Sequence, residues 1–287
     1  MAFHSVEGLL EASRELPLWQ AVQAEDCRDS GESPENSWNK MAQLWAAMLA
    51  TQADYDPDRR SQSGLTGGDG ARLEGPGPGL CDPFLRRVVS TALKAGECNA
   101  CMRRVVAAPT AGASGVLPAV LIPLQMRDRI SQDSMVEALY VAAGFGQIIA
   151  QRASISGAEG GCQAEVGSAS AMAAAALTHL KGGSPQQMAH ACALALSNTL
   201  GLVCDPVGGL VEVPCVTRNV MGAANALTCA EMALSGVESR IPCDEVMDAM
   251  AAVGRALPSS LRETGQGGLA ATPTGHRLTE RQGEDRP

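Results

Sequence analysis

Apolar residues recur at helical spacing along most of the chain. The segment 38–52 gathers its apolar residues on one face of an amphipathic helix, and 83–104 predicts a second helix. The same pattern predicts further helices, which cover residues 133–152, 169–183, 184–200, 216–235 and 244–256. The strict alternation typical of strands does not recur between them. The pattern therefore predicts an all-α fold, a helical domain with glycine-rich loops.

Local signals mark several helix ends. Asp133 or Ser134 is the predicted cap of the helix 133–152. Ser184 followed by Pro185 is a favourable cap and first-turn pair, because the serine hydroxyl accepts a free N–H and proline lacks one. The pair Gly182–Gly183 is a typical stop for the preceding helix.

Two segments are dense in helix breakers. Residues 61–79 hold seven glycines and two prolines, which predicts a loop, with a plain linker as the alternative. The segment APTAGASGVLPAV, residues 108–120, is punctuated in the same way. Pro118 and Pro123 are expected to interrupt VLPAVLIPL, so no membrane span is predicted there.

Composition narrows the class of protein. The 287 residues include 3% aromatics, so the core is expected to consist of Ala, Val, Leu, Ile and Met in closely packed helices. The net charge of −9, without a block of Lys and Arg, argues against a nucleic-acid or membrane partner. The N-terminal segment carries three glutamates among its apolar residues and lacks the form of a signal peptide. A cytoplasmic protein with reduced cysteines is expected.

Seven of the ten cysteines suggest no strong chemistry. Cys98 and Cys101 form a CxxC pair that predicts either a redox or metal pair or two small core residues. We favour the core interpretation, because a second CxxC and a βαβ setting are both missing. Cys192 and Cys229 lie among alanines and are expected in the core. The remaining three have no recognisable context: Cys27, Cys81 and Cys243.

Cys162, Cys204 and Cys215 lie in glycine- and proline-rich loops beside predicted helix ends. Helix N-termini favour the thiolate, the form that binds metal. Glycines allow backbone amides to approach a bulky inorganic group. These features suggest metal ligands, with three ordinary core cysteines as the alternative.

Four blocks extend the pattern along the chain. They are SGLTGGDGARL (63–73), VVAAPTAGASGVLPAVL (105–121), SISGAEGGCQAEVGSASAMAAAAL (154–177) and LGLVCDPVGGLVEVPCVTRN (200–219). In this order they resemble the signatures of the α chain of bacterial iron–sulfur-dependent L-serine dehydratase. The resemblance runs from about residue 60 to 275, including the tail LRETGQGGLAATPTG.

The resemblance implies an enzyme that removes water from L-serine and yields pyruvate and ammonia. It implies a 4Fe–4S cluster held by Cys162, Cys204 and Cys215, whose intervals of 41 and 10 residues are those of the family. One iron is then left open to substrate. The family's second region, with its Ser-Ser-His-Thr motif, is absent from this sequence, so a separate β chain is expected. A homo-oligomer is a further alternative.

The resemblance and the local chemistry also suggest substrate-binding residues. Hydroxyls and amides of the two glycine-rich loops, together with one arginine, are candidates for the substrate's carboxylate and ammonium: Ser63, Thr66, Gly67, Thr110, Gly112, Ser114 and Arg218. Ordinary turn chemistry and a structural salt bridge of Arg218 are the alternatives. The sequence does not identify the general base.

The expected division of the chain is a helical extension at 1–57, the iron–sulfur domain at 58–275 and a polar tail at 276–287. Three functions compete with the iron–sulfur dehydratase. A pyridoxal-phosphate dehydratase would need a Schiff-base lysine, and the chain has three, none in a recognisable cofactor motif: Lys40, Lys94 and Lys181. A non-enzymatic iron or redox sensor would use the same three thiolates, and a cluster-free structural remnant would need only the helices.

Overall fold

Helices make up the structure, a computed structural model that describes residues 3–284, with side chains as far as residue 281. Within the described residues there are twelve α-helices and no β-sheet, so the predicted all-α fold is confirmed. They are α1 Val6–Ala12, α2 Leu18–Ser30, α3 Pro34–Ala53, α4 Pro83–Ala100, α5 Val116–Asp128, α6 Gln132–Ala153, α7 Gly157–Gly160, α8 Ser168–Leu180, α9 Pro185–Ser197, α10 Cys215–Leu234, α11 Cys243–Ala256 and α12 Pro273–Glu284. No helix of the described part has the length and apolarity needed to cross a membrane.

The alanine-rich helix α8 lies at the centre of the molecule. Every residue from Ser168 to Thr178 is buried, and α5, α6, α9 and α10 pack around it. A helix that is apolar on all sides is stable only when other helices surround it. The small side chains of α8 allow these neighbours to approach closely, which agrees with the low aromatic content.

Side-chain caps fix the starts of two of these neighbours. The hydroxyl of Ser184 accepts the N–H of Gln187 at 3.2 Å, and the Gln187 side chain accepts the N–H of Ser184 at 2.9 Å. This capping box confirms the predicted start of α9. The predicted cap of α6 is wrong, because the hydroxyl of Ser131 caps that helix by accepting the N–H of Ser134 at 3.1 Å. Asp133 is therefore already inside the first turn.

The prolines at 118 and 123 do not interrupt the apolar segment as expected. Helix α5 contains both of them. Pro118 lies in the first turn, where the backbone N–H has no helical partner in any case. Pro123 removes one interior hydrogen bond, yet the helix continues, because its residues Val116 to Leu124 are all buried and packing outweighs that loss.

The loop 61–79 is confirmed as a loop, but it is fastened to α4 rather than free as a linker would be. The buried carboxylate of Glu97 accepts the N–H of Asp69 at 2.8 Å and that of Gly70 at 3.3 Å. The hydroxyl of Tyr55 donates to the same carboxylate at 2.5 Å. Burial and the neighbouring Glu97 raise the pKa of Tyr55, so this hydroxyl remains a donor at ordinary pH.

The N-terminal helices pack against the rest of the chain. Helices α2 and α3 contact α6, where Trp19 and Trp38 surround Tyr140 with ring centroids 6.5 and 6.2 Å from it. The predicted division into three regions stays a prediction, and α12 runs across its boundary after residue 275. Residues 1–2 and 285–287 of the first and last regions lie outside the described residues.

Close helix contacts can be tested at two glycines of α6. A Cβ on Gly144 would lie 2.5 Å from Cγ2 of Val22 in α2, whereas a Cβ on Gly146 would meet the flexible end of Met172 at 2.8 Å. We expect Gly144→Ala to lower the free energy of unfolding by about 1–3 kcal/mol, because the branched Val22 side chain cannot move aside. Gly146→Ala is the matched control and should be close to neutral, since Met172 adapts and alanine favours a helix. The measurement is urea denaturation, and equal midpoints for the two variants would contradict this account of the packing.

Candidate functional site

Three cysteines that are far apart in the sequence lie close enough in the fold to influence one another's ionisation. Cys162 precedes a π-helical turn, Gln163–Gly167, that continues into α8. Cys204 lies between α9 and α10, and Cys215 is the first residue of α10. All three are buried, with 2%, 3% and 8% of their surface exposed. Burial and then the charge of Cys162 raise the pKa of both other thiols, so the three lie within electrostatic reach of one another.

The side chain of Gln163 joins the loops of two of these cysteines. This fully buried amide accepts the N–H of Gly201 at 2.8 Å and donates to the carbonyl of Met250 at 3.2 Å. Its backbone N–H donates to the carbonyl of Leu202 at 3.0 Å. The turn of Cys162 is therefore held against the segment that leads into Cys204 and against α11.

Two glycines before Cys162 are required by this close approach. Gly161 has φ +75°, and a Cβ there would lie 2.8 Å from the carbonyl oxygen of Leu202. A Cβ on Gly157 would lie 3.1 Å from the sulfur of Cys204 and 2.8 Å from a carboxylate oxygen of Glu165. The glycine-rich surroundings of Cys162 thus bring a second thiol and a carboxylate close to its loop.

Backbone contacts position the other two cysteines. The N–H of Cys204 donates to the carbonyl of Leu261 at 2.9 Å, and its carbonyl accepts the N–H of Glu263 at 2.8 Å. At Cys215, the buried Asn219 donates to the Cys215 carbonyl at 3.0 Å and to that of Gly112 at 2.8 Å. The C-terminal segment and the loop 108–115 are thereby attached to the cysteine region.

Arg218 is the cation beside these thiols. Its guanidinium forms an ion pair with the buried Asp205 at 2.7 Å and donates to the carbonyl of Val203 at 2.8 Å. Asp205 in turn accepts the N–H of Leu269 at 2.8 Å. The structural salt bridge considered for Arg218 is therefore present, and a contact with the substrate's carboxylate stays a prediction. The positive charge of Arg218 also lowers the pKa of the Cys162 thiol, so the two groups lie within electrostatic reach of one another.

The environment of the thiols favours their protonated form. Burial, the largest cause, raises the pKa of Cys162 to about 11 and that of Cys215 to about 12, although Arg218 lowers both. The pKa of Cys204 is raised further, by burial and by Cys162. Burial thus outweighs the lowering effect of Arg218, and the thiolate expected at these helix ends is not favoured in the protein alone.

These properties fit a polynuclear metal cluster. Thiols that disfavour one another's ionisation need a cationic group to become ligands, and metal binding releases their protons. In the described part of the chain, no three His, Cys, Asp or Glu side chains are close enough to share a single metal ion. A cluster differs in this respect, because each thiolate binds a different metal atom and the ligands lie farther apart.

Glu165 is a site residue that the sequence did not single out. It lies in the π-helical turn, and its charge raises the pKa of all three thiols. Its own pKa is raised by burial and then by Glu263, while the hydroxyl of Thr110 lowers it. A Cβ on Gly112 would lie 3.6 Å from its Oε1. The only sequence signal was its place in the block around Cys162, since the π turn that directs it inward has no recognisable pattern.

The predicted substrate-binding residues fall into two groups. Thr110, Gly112 and Ser114 lie on the loop beside Glu165. The hydroxyl oxygens of Thr110 and Ser114 are buried without a regular hydrogen bond in the described residues, although Thr110 is close enough to Glu165 to lower its pKa. Such hydroxyls are available to a ligand.

The second group belongs to the loop 61–79. The hydroxyl of Ser63 donates to Glu212 at 2.5 Å, and the N–H of Thr66 donates to Ser61 at 3.2 Å. Gly67 packs against the backbone of residue 59, which leaves no room for a side chain. The structure does not bring Thr66 or Gly67 to the cysteines.

The CxxC cysteines lie away from this centre. Cys98 and Cys101 are buried at the end of α4, and the Cys98 thiol is close to the carbonyl of Thr51. Burial raises the pKa of Cys98 to about 11 and raises that of Cys101. A redox pair usually has a lowered thiol pKa, so these values favour the core interpretation.

Comparison with known proteins agrees with the signatures. A family model described as "Serine dehydratase alpha chain" matches residues 13–270. The "Probable L-serine dehydratase, alpha chain" of Bacillus subtilis (strain 168) is 46% identical over 284 residues, which cover 97% of this chain and 95% of that protein. The protein of the same name from Latilactobacillus sakei is 56% identical over 192 residues, 67% of this chain and 92% of the relative. The "L-serine dehydratase, alpha chain" of Peptoniphilus asaccharolyticus is 46% identical over 202 residues, 70% of this chain and 69% of the relative. The resemblance predicted from the four blocks is confirmed, and this chain belongs to the serine dehydratase alpha chain family.

Proposed function

We propose that this chain is the catalytic alpha chain of an L-serine dehydratase, a lyase that converts L-serine to pyruvate and ammonia. The observation that carries the proposal is the convergence of three buried thiols around the partly buried carboxylate of Glu165. The relatives named L-serine dehydratase, alpha chain, support the substrate.

Cys162, Cys204 and Cys215 would hold a 4Fe–4S cluster in this proposal. When bound, such a cluster with only three protein thiolates supplies a Lewis acid for departure of the β-hydroxyl group. Arg218 offsets part of the negative charge that the deprotonated thiols introduce, because its positive charge lowers the pKa of Cys162 and Cys215. Its ion pair with Asp205 keeps the guanidinium in that place.

Glu165 is the group that we propose takes the α-proton of L-serine. The electron pair of the Cα–H bond forms the Cα–Cβ double bond while the bond from Cβ to oxygen breaks. The departing hydroxyl group leaves as water after it receives a proton, and the proton that Glu165 took from Cα balances this transfer. The resulting 2-aminoacrylate tautomerises to an imine, which water hydrolyses to pyruvate and ammonia. A carboxylate in a partly desolvated position is a stronger base than an exposed one, which suits this step.

Thr110 and Ser114 are proposed to orient the substrate in this step. Their buried hydroxyl oxygens have no regular hydrogen bond within the described residues and can donate to substrate oxygen atoms. Asn219 holds their loop in place, because it accepts the N–H of Gly115 at 2.9 Å and donates to the carbonyl of Gly112.

The pyridoxal-phosphate alternative is weakened by the state of the lysines. A Schiff-base lysine must present a free amine to the cofactor. Each lysine here is in an ion pair instead: Lys40 with Glu32, Lys94 with Glu74 and Lys181 with Asp128. A non-enzymatic cluster protein is the second alternative, and iron binding without pyruvate formation would identify it.

We further propose a cytoplasmic enzyme of serine breakdown that works with a separate β chain and supplies pyruvate for gluconeogenesis. The relatives from Bacillus subtilis and Latilactobacillus sakei are named alpha chains, which implies a separate second chain. Leu80, just after the loop 61–79, is 91% exposed, and Met102, just after α4, is 88% exposed. Such apolar residues favour a protein partner.

Serine substitutions test the proposed ligands. Cys162→Ser, Cys204→Ser and Cys215→Ser should each abolish both bound iron and pyruvate formation, because each removes one of three ligands. Cys98→Ser and Cys101→Ser are the matched controls and should keep both. The measurement is iron and sulfide content after anaerobic reconstitution, together with pyruvate formed. Loss of iron from the Cys98 variant with retention in the Cys162 variant would reverse the assignment.

A neutral isostere tests the proton acceptor. Glu165→Gln should lower pyruvate formation by a factor of about 10²–10⁴, the range typical of a general base, with the iron content unchanged. Glu159→Gln is the control, since Glu159 is exposed in the same glycine-rich segment. Anaerobic turnover is normalised to bound iron in each case. Full turnover in the Glu165 variant would remove this residue from the proposed mechanism.

Combining this chain with the β chain tests whether full activity requires that partner. The chain alone should bind iron, because all three thiols belong to it, but turn over L-serine slowly until its β chain is added. Pyruvate formation and elution on a sizing column are compared with and without the β chain. Equal turnover in both samples, without co-elution, would show that the chain is self-sufficient.

A further inference from the structure

Glu212 is a buried carboxylate that the proposed mechanism does not use. It lies on the segment between Cys204 and Cys215 and is 6% exposed. Its Oε2 accepts the hydroxyl of Ser61 at 2.6 Å and that of Ser63 at 2.5 Å. Glu212 therefore fastens the glycine-rich loop 61–79 to the cysteine-bearing segment, although this takes a carboxylate out of water.

Glu212 forms no ion pair within the described residues. Its side-chain partners are the two serine hydroxyls, and no Lys, Arg or His of the described part forms an ion pair with it. Burial of a carboxylate is unfavourable unless a cation compensates for the lost water. Two neutral hydroxyl groups on one oxygen compensate only in part, so Glu212 remains suited to a cationic ligand.

Glu212 lines a cavity of about 520 Å³. This volume is within the range of roughly 300–1,000 Å³ that is usual for small-molecule sites. Ser63 and Glu212 supply polar groups, and the walls are largely apolar, with contributions from Leu65, Leu210, Val211 and Leu278. The cavity is thus a concave site with few polar groups, and one of those is a carboxylate that forms no ion pair in the described residues.

The guanidinium group of Arg281 lies in the lining of the same cavity. Arg281, in the last turn of α12, is exposed and contributes to the wall. A carboxylate and a guanidinium in one cavity complement the ammonium and the carboxylate of an α-amino acid. Neither serine hydroxyl that binds Glu212 is lost in this arrangement, since the ammonium can use the other carboxylate oxygen.

The cavity adjoins the cysteine centre. A Cβ on Gly112 would lie 3.3 Å from Cγ1 of Val211, which lines the cavity, and 3.6 Å from Oε1 of Glu165. Val211 is 37% exposed, so one layer of side chain and glycine backbone separates the two places. The wall of the cavity at Val211 is therefore linked to Glu165 through the Gly112 backbone.

We propose that this cavity is a capture site for the zwitterion of an α-amino acid, in which Glu212 holds the ammonium group and Arg281 holds the carboxylate. The identity of that amino acid as L-serine rests on the proposed function. Ser61 and Ser63 are positioning residues, because they act through the Glu212 carboxylate. Capture at this site affects substrate affinity, and the bond-breaking steps take place beside Glu165.

Binding of unreactive ligands distinguishes recognition of the ammonium group from recognition of the carboxylate. L-Alanine has the ammonium and carboxylate of serine without a leaving group, L-lactate lacks the ammonium, and ethylamine lacks the carboxylate. Their binding to the anaerobically reconstituted full chain, with its β chain where turnover requires it, is measured by calorimetric titration. The wild type should bind L-alanine roughly 10- to 100-fold more tightly than L-lactate, as expected for a charge-assisted hydrogen bond in a buried site.

The variants assign each charge to a residue. Glu212→Gln should bind L-alanine and L-lactate with equal affinity, because only the ammonium has lost its partner. Arg281→Gln should weaken both of these ligands alike and leave ethylamine unchanged. Glu231→Gln, an exposed glutamate of α10, is the matched control and should behave as the wild type. In turnover, Glu212→Gln should raise the KM for L-serine and leave kcat nearly unchanged.

The outcomes distinguish this inference from the proposed function. Equal binding of L-alanine and L-lactate by the wild type, or no binding of L-alanine, overturns the capture site even if the Glu212 variant does not fold. An unchanged preference in Glu212→Gln overturns it as well. Normal pyruvate formation with either result leaves the proposed function intact, whereas a Glu212-dependent preference without any pyruvate formation supports the site and contradicts the dehydratase.

Discussion

The burial of three thiols around one carboxylate is the constraint on which the site depends. Ionised together, Cys162, Cys204, Cys215 and Glu165 would place four negative charges in a region poor in water, where repulsion is weakly screened. Arg218 offsets a part of that charge, but it is shared with Asp205. Burial therefore favours the protonated thiols, and binding of a multiply charged cationic group would offset the charge of the thiolates. The hydrogen bonds of the Gln163 and Asn219 side chains hold the segments that carry these thiols in place.

Small residues make the arrangement possible. The alanines of α8 let four helices pack around it, and this places the ends of three helical segments in one region. Gly161 and Gly157 then bring the loop of Cys162 against the segment of Cys204, at distances that any side chain would prevent. The low aromatic content and the glycine-rich loops are thus two aspects of the same requirement, close approach of backbone around a buried centre.

Much of this could be predicted from the sequence, and the exceptions have physical reasons. Helical periodicity predicts most helices, and Ser184 with Pro185 predicts one start correctly because a cap is a local interaction. Helix α5 is not predicted, because burial along most of its length outweighs the hydrogen bond lost at Pro123. This is a tertiary effect that no local pattern records. The place of Glu165 in the site is not predicted either, because a π turn directs this residue inward. The pairing of Glu212 with Ser61 and Ser63 joins residues about 150 positions apart, and only the fold reveals it.

Diffraction at the iron absorption edge from crystals of the anaerobically reconstituted chain tests the central claim most directly. The account predicts anomalous density for iron bounded by the sulfur atoms of Cys162, Cys204 and Cys215, with Glu165 facing the side that has no protein ligand. Iron at Cys98 and Cys101, or a cluster closed by a fourth cysteine of this chain, would contradict it.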